Sequence, residues 1–156
     1  MTPEIIRIKS SESSLVAELF NKYRVFYKQP SNIELAEKFI QSRLENNESV
    51  IFVAIIKDEN GLTPIGFTQL YPKYSSVRAI KNWLLNDLYV EQNYRKQGIG
   101  EKLINTALKF AKEDQATFME LSTAVDNHTA QSLYESLGFI KQNPGTDFFN
   151  YKIEVK

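Results

Sequence analysis

Residues 88–100, LYVEQNYRKQGIG, constrain the fold most: an apolar run stops, a basic turn with two glycines follows, and a helical pattern starts at once. Strand, turn and helix in immediate succession make an anion cradle. Arg95, Gly98 and Gly100 fall in an R-x-x-G-x-G spacing, in which glycines let the backbone approach a ligand and aim consecutive N–H groups at it. A helix beginning at Gly98 or Ile99 adds its unpaired first amides and the positive end of its dipole, so a pyrophosphate is the natural guest. The pattern is not the dinucleotide fingerprint, because Leu103 stands where a third glycine or alanine is needed. No P-loop occurs in the chain.

Composition sets the outer bounds. The 156 residues, 42% of them apolar, fit one domain over 1–156 with a single core. Nineteen basic residues balance nineteen acidic ones, which removes the positive field of a nucleic-acid binder, and no nucleic-acid partner is expected. With no cysteine there is no disulfide, thiolate nucleophile or cysteine-based metal site, and no metal is expected. The start lacks a basic-then-apolar leader and no apolar run reaches membrane-spanning length, so a cytoplasmic protein without a membrane partner is expected.

Residues 5–9 read as an opening strand closed by the serine-rich segment 10–14. Leu15, Val16, Leu19, Phe20, Tyr23 and Tyr27 then recur at helical spacing. Pro30 breaks that helix, and Ser31 with Glu34 forms a capping box for a second, whose buried stripe is Leu35, Ala36, Phe39, Ile40 and Leu44. Residues 50–56 are an interior strand with a hairpin partner at 64–71. A fourth strand at 82–90, a third helix at 99–114, a fifth strand at 118–123 and a fourth helix at 128–137 follow. Gly138 sits at the helix stop, and 139–142 and 148–154 read as two closing strands. The order β-α-α-β-β-β-α-β-α-β-β, with antiparallel strands first and a β-α-β crossover later, gives a mixed α/β (α+β) sheet with helices on both faces.

The glycine turn resembles the acetyl-coenzyme A pyrophosphate loop of the GNAT N-acetyltransferase superfamily, R/Q-x-x-G-x-G/A. Residues 126–139, DNHTAQSLYESLGF, are similar to the same superfamily's tail pattern, N-x-x-A-x-x-L/F-Y-x-x-x-G-F. Asn127, Ala130, Leu133, Tyr134, Gly138 and Phe139 each stand in register. The element order is also that of the GNAT fold, so the resemblance covers nearly the whole chain.

The resemblance implies acetyl-coenzyme A as co-substrate. Its pantetheine arm would pair like an extra strand with Leu88, Tyr89 and Val90, where strands four and five splay apart. Arg95, Lys96, Gln97, Gly98, Ile99, Gly100 and Glu101 would wrap the pyrophosphate, and Asn127 would hold the far wall. A bulge near Asp87 would free an amide for the thioester carbonyl. Tyr134 would donate a proton to the departing sulfur. On the residues alone, Tyr134 also reads as core with its hydroxyl at the rim, and Asn127 as a helix N-cap. His128 is given no catalytic role.

A primary amine, with a pKa of about 10.4 for a lysine-like group, must lose a proton before it can attack. In the polyamine acetyltransferase branch, whose local pattern EDFFV resembles residues 86–90, NDLYV, a carboxylate acting through water occupies the place of Asn86. Asparagine cannot take that proton. Asp87, directly or through ordered water, is the expected base, with Glu91 the other nearby carboxylate. The competing reading makes Asp87 a buried carboxylate bonded to the bulge's backbone amides. Strand alternation alone points Asp87 away from the Asn86 face unless the bulge rotates it.

Substrate choice in this fold falls to the first two helices and the segment joining strands three and four. Tyr27 and Tyr71, with Asp87, are the expected substrate contacts, in company with Tyr23, Tyr74, Glu34 and Glu37. Phe26 and Trp83 read as ordinary core. Residues 69–72, QLYP, resemble a bacterial subgroup compared with histone- and polyamine-type enzymes. The expected activity is acetyl transfer to a primary amine of a polyamine-like molecule or amino sugar. The alternatives are a protein lysine or N-terminal acetyltransferase and a non-catalytic coenzyme A-binding regulator. Aromatic residues at 148–151 make a homodimer a further expectation.

Overall fold

The structure, a computed structural model, describes residues 2–145 and 147–155. The chain divides into two compact units, Met1–Ser122 and Thr123–Lys156.

The first unit holds β1 (Glu4–Arg7), α1 (Ser14–Phe26), α2 (Ile33–Glu45), β2 (Val50–Asp58), β3 (Gly61–Ser75), β4 (Ile80–Val90), α3 (Ile99–Glu113) and β5 (Met119–Glu120). Its sheet runs β1-β2-β3-β4-β5, antiparallel throughout except for the parallel β4–β5 pair. Side-chain alternation assigns each face. Ile51, Val53, Ile55 and Phe67 join Val16, Leu19 and Phe20 of α1 and Ala36 and Ile40 of α2 in one buried cluster. Phe52 turns the other way, where its ring meets Phe110 of α3. On α3, Ile99, Leu103, Ile104, Ala107 and Ala111 recur at helical spacing and are all buried.

Several local expectations shift. Asn32, one residue past Ser31, caps α2 by accepting from the Leu35 amide at 3.1 Å. Ser31 is engaged elsewhere: its hydroxyl accepts from the Nδ2 of buried Asn21 at 3.0 Å, and Asn21 Oδ1 takes the Asn32 amide. Leu35 and Phe39 are exposed, so the buried stripe of α2 narrows to Ala36 and Ile40. Phe26 is 59% exposed and packs edge-on against Tyr27 instead of joining the core, whereas Trp83 is buried as expected.

In the second unit α4 (His128–Ser136) is the one helix among the described residues. The closing strands expected at 139–142 and 148–154 do not form, and no strand follows α4 there. Phe148, Phe149, Tyr151, Ile153 and Val155 stand 85–92% exposed. Extended chain becomes a strand only when a neighbour pairs its N–H and C=O groups, and no ladder reaches this segment. The mixed sheet with helices on both faces stands without them.

Candidate active site

The β4–β5 ladder contains two pairs, Trp83↔Met119 and Leu84↔Glu120. Residues 85–90 of β4 therefore run on with no strand on that side among the described residues, and this is the expected splay. The fifth strand is shorter than the 118–123 expected, Met119–Glu120, because the parallel register ends there. On the opposite side the Glu91 amide donates to the Ile65 carbonyl at 2.8 Å, which sets the phase of the β3–β4 ladder. Antiparallel alternation then turns the backbone N–H and C=O of Leu88 and Val90 away from β3, and Tyr89 toward it.

The ladder is broken by a bulge. Gln69 pairs with Asp87 and Leu70 with Leu85, so Asn86 has no cross-strand partner. The extra residue changes where the neighbouring side chains point. Asn86 Nδ2 donates to Asp87 Oδ1 at 2.7 Å, and Gln69 Nε2 donates to Asp87 Oδ2 at 2.5 Å. The expected opposition of Asn86 and Asp87 is thus removed by the bulge. Asp87 is 2% exposed, and its carboxylate is held by side-chain amides rather than by backbone amides of the bulge.

Helix α1 closes the cluster. The Tyr23 ring lies edge-on to Phe67 at 5.8 Å, and its hydroxyl stands 3.3 Å from the Asn86 carbonyl. Burial raises the pKa of Asp87, and the bonds from Gln69, Asn86 and Tyr23 act against that rise. Burial, with the charge of Asp87 adding to it, pushes the Tyr23 phenol far above its ordinary range and that of Tyr71 up to about 12. Both phenols therefore keep their protons at neutral pH. Asp87 is the carboxylate of the cluster. Glu91, the other carboxylate near it, is bound to Lys22 at 2.6 Å.

Of the expected substrate contacts, Tyr71 and Asp87 come together, and Tyr27 lies one ring further out against Tyr23 at 5.0 Å. Gln69, not expected as a site residue, belongs to the cluster. Its signal was a long polar side chain between Thr68 and Leu70 in a strand that is otherwise mostly apolar.

Beyond β4 a single 3₁₀ turn, Gln92–Tyr94, leads into the glycine turn. Lys96 takes φ 62° and Gly98 φ 80°, which curls the chain into the start of α3. The Lys102 amide bonding to the Gly98 carbonyl is the first i to i−4 bond of the helix. The amides of Ile99, Gly100 and Glu101 precede it and have no acceptor within the helix. Arg95 extends from the turn over the Tyr89 ring, with Nε bonded to the Val90 carbonyl. Gln97 Nε2 donates to the Asn93 carbonyl at 3.3 Å, which braces the turn from within.

In the second unit, Asn127 caps α4 by accepting from the Ala130 amide at 3.1 Å. Gly138, at φ 98°, ends the helix: its amide bonds to Glu135 and that of Phe139 to Tyr134. This is a Schellman stop, and its apolar contact is the Phe139 ring edge-on to Tyr134 at 5.9 Å.

An open strand edge thus runs into an amide-lined glycine turn beside a buried carboxylate, an arrangement suited to an elongated ligand with an anionic group. The Acetyltransferase (GNAT) family matches residues 16–139, and the chain belongs to it. It is an acetyltransferase, and acetyl-coenzyme A is its co-substrate. The uncharacterized N-acetyltransferase YhfO of Bacillus subtilis (strain 168) is 42% identical over 151 residues, 97% of each chain. A solved probable acetyltransferase is 38% identical, with 98% of each chain covered and a TM-score of 0.85. An aminoglycoside acetyltransferase from an uncultured soil metagenomic sample, solved in complex with sisomicin, shares the fold at 20% identity and a TM-score of 0.75, with 97% of each chain covered.

Proposed function

We propose that the protein moves the acetyl group of acetyl-coenzyme A to a primary amine of a small molecule, polyamine-like or an amino sugar, by direct attack. The observation that carries this reading is Asp87, a buried carboxylate held by two side-chain amides and flanked by Tyr23 and Tyr71 at the bulge of β4. Asp87 takes a proton from the acceptor ammonium, and a base whose pKa burial has raised is better matched to that task at neutral pH. The freed amine attacks the thioester carbonyl, and the amide released by the bulge at Asn86 holds the oxygen that gains charge. As the C–S bond breaks, Tyr134 donates its proton to the coenzyme A thiolate.

The carrier's pantetheine arm lies along Leu88, Tyr89 and Val90. Its pyrophosphate rests on residues 95–101, with Arg95, Lys96, Gln97, Gly98, Ile99, Gly100 and Glu101 around it. Asn127 adds a further contact. Tyr71, and Tyr27 outside it, give the acceptor's cationic carbon chain aromatic faces. The aminoglycoside acetyltransferase that shares the fold supports an amine acceptor of this kind. Residues 1–156 act as one transferase domain, a reading supported by the family's match over residues 16–139, and the protein works in the cytoplasm. Exposed Phe148, Phe149 and Tyr151 support a homodimer, which sedimentation at micromolar concentration tests.

The deciding experiment follows thiol release from acetyl-coenzyme A with a panel of polyamines, amino sugars, aminoglycosides and lysine peptides. Turnover is expected with small primary amines. Release with peptides alone replaces the acceptor class, and no release with any amine overturns the reading.

A further inference from the structure

Gln69 is wholly buried in β3, where it stands directly across the ladder from Asp87 at the bulge. Its Nε2 donates to Asp87 Oδ2 at 2.5 Å. Its Oε1 is also buried and has no hydrogen-bond partner among the described residues. A buried amide with one end unbonded carries a desolvation cost, and groups of that kind concentrate where function demands them. Here the amide's one polar contact is the carboxylate. Asn86 Nδ2 holds the other oxygen at 2.7 Å, so each oxygen of Asp87 is bound by one side-chain amide and the group cannot rotate freely.

We propose, resting on the reading of Asp87 as the group that takes the acceptor's proton, that Gln69 is its positioning residue: Nε2 fixes Oδ2 and so the direction in which the carboxylate meets the amine. A donor on a carboxylate also favours its charged form, so the same contact keeps Asp87 able to accept.

The test is Gln69→Met, of similar length and without the amide, alone and in an Asp87→Asn background, with the best amine found by thiol release. The expected result is a fall in kcat of about tenfold or more, the scale set by misplacing a reacting group, with KM for acetyl-coenzyme A little changed. The acid limb of the pH profile of kcat/KM moves to higher pH, because a donor to the charged form is lost. In the Asp87→Asn background the second substitution adds almost nothing, because Gln69 acts through that carboxylate. Equal losses in the two backgrounds, or an unmoved acid limb, overturn the proposal while the proposed function stands. A wild-type protein that acetylates no amine overturns both. Acetyl-coenzyme A binding by calorimetry confirms that each variant is folded. Should Gln69→Met not fold, Gln69→Leu, which removes the amide and leaves a shorter uncharged side chain, carries the same comparison.

Discussion

The Nε of Arg95 stands 2.8 Å from the carbonyl oxygen of Val90, and its guanidinium lies over the Tyr89 ring at 5.4 Å. The basic residue that opens the glycine turn is thereby bound back onto the last residue of β4. Ladder phase turns that same carbonyl away from β3, so Arg95 holds an acceptor that a carrier lying along β4 would need. On the proposed placement of the carrier, Arg95 would turn from Val90 to the pyrophosphate when the carrier binds.

Arg95→Ala is expected to weaken acetyl-coenzyme A binding by about 10- to 100-fold, the range given by one hydrogen bond to a charged group. Arg95→Lys, which keeps the charge without the planar fork, falls between the two. Titration calorimetry decides the matter, and an unchanged Kd in both variants removes Arg95 from the cradle.

Asp87 links activity to stability with opposite signs. Its folded pKa lies above the ordinary 3.8, so the folded state holds this proton more tightly than the unfolded chain does. The group's stabilising contribution is complete below 3.8 and declines as pH rises from there toward the raised folded pKa. Above its folded pKa the charged, buried group is a liability. Asp87→Asn is expected to lower kcat by about 100-fold or more, while stability at neutral pH holds or rises. Denaturant melts from pH 4 to 8 should show the variant's stability relative to wild type growing with pH. A gap that shrinks with pH contradicts the cause assigned to the shift.

The glycine turn was legible in the sequence because steric necessity writes it plainly: Gly98 needs its left-handed φ, and a helix starts at the next residue. The tail pattern was legible for the same reason, since Gly138 and Phe139 together make a helix stop. The position of Asn86 beside Asp87 was not, because period-two alternation separates them and only the ladder register reveals the bulge. Nor was Gln69, whose partner lies across the sheet, 18 residues on. Residues 139–142 and 148–154 show the converse error. Phe149, Tyr151 and Ile153 alternate as in a strand and Phe139 and Ile140 are strand formers, but pairing is a tertiary property that local pattern cannot supply.

At Gly66, β3, β4 and α3 crowd together. A Cβ built there would lie 3.0 Å from the Tyr89 carbonyl oxygen, 3.3 Å from Val90 Cγ2 and 3.4 Å from Leu103 Cδ1. The first of these is backbone and cannot step aside. Gly66→Ala is expected to cost roughly 1–3 kcal/mol of stability, as overpacking does. It should also displace β4 at Tyr89 and Val90 and weaken acetyl-coenzyme A binding. A variant that melts with the wild type shows that the strands can separate without loss.

Gly138 sustains the link between the end of α4 and Tyr134. At φ 98° a side chain is strained, and the cost is about 1–2 kcal/mol for a residue such as alanine. The same turn brings the Phe139 amide to the Tyr134 carbonyl at 3.0 Å and its ring edge-on to the tyrosine. If Tyr134 is the proton donor, loosening this stop misplaces its hydroxyl. Gly138→Ala should then lower kcat by more than it raises KM for either substrate, and Gly138→Asn, which tolerates the left-handed region, should recover most of the loss. Phe139→Ala, which keeps the backbone stop and deletes the ring, separates the two contributions. A kcat that survives both Gly138→Ala and Phe139→Ala excludes the helix stop as the element that positions Tyr134.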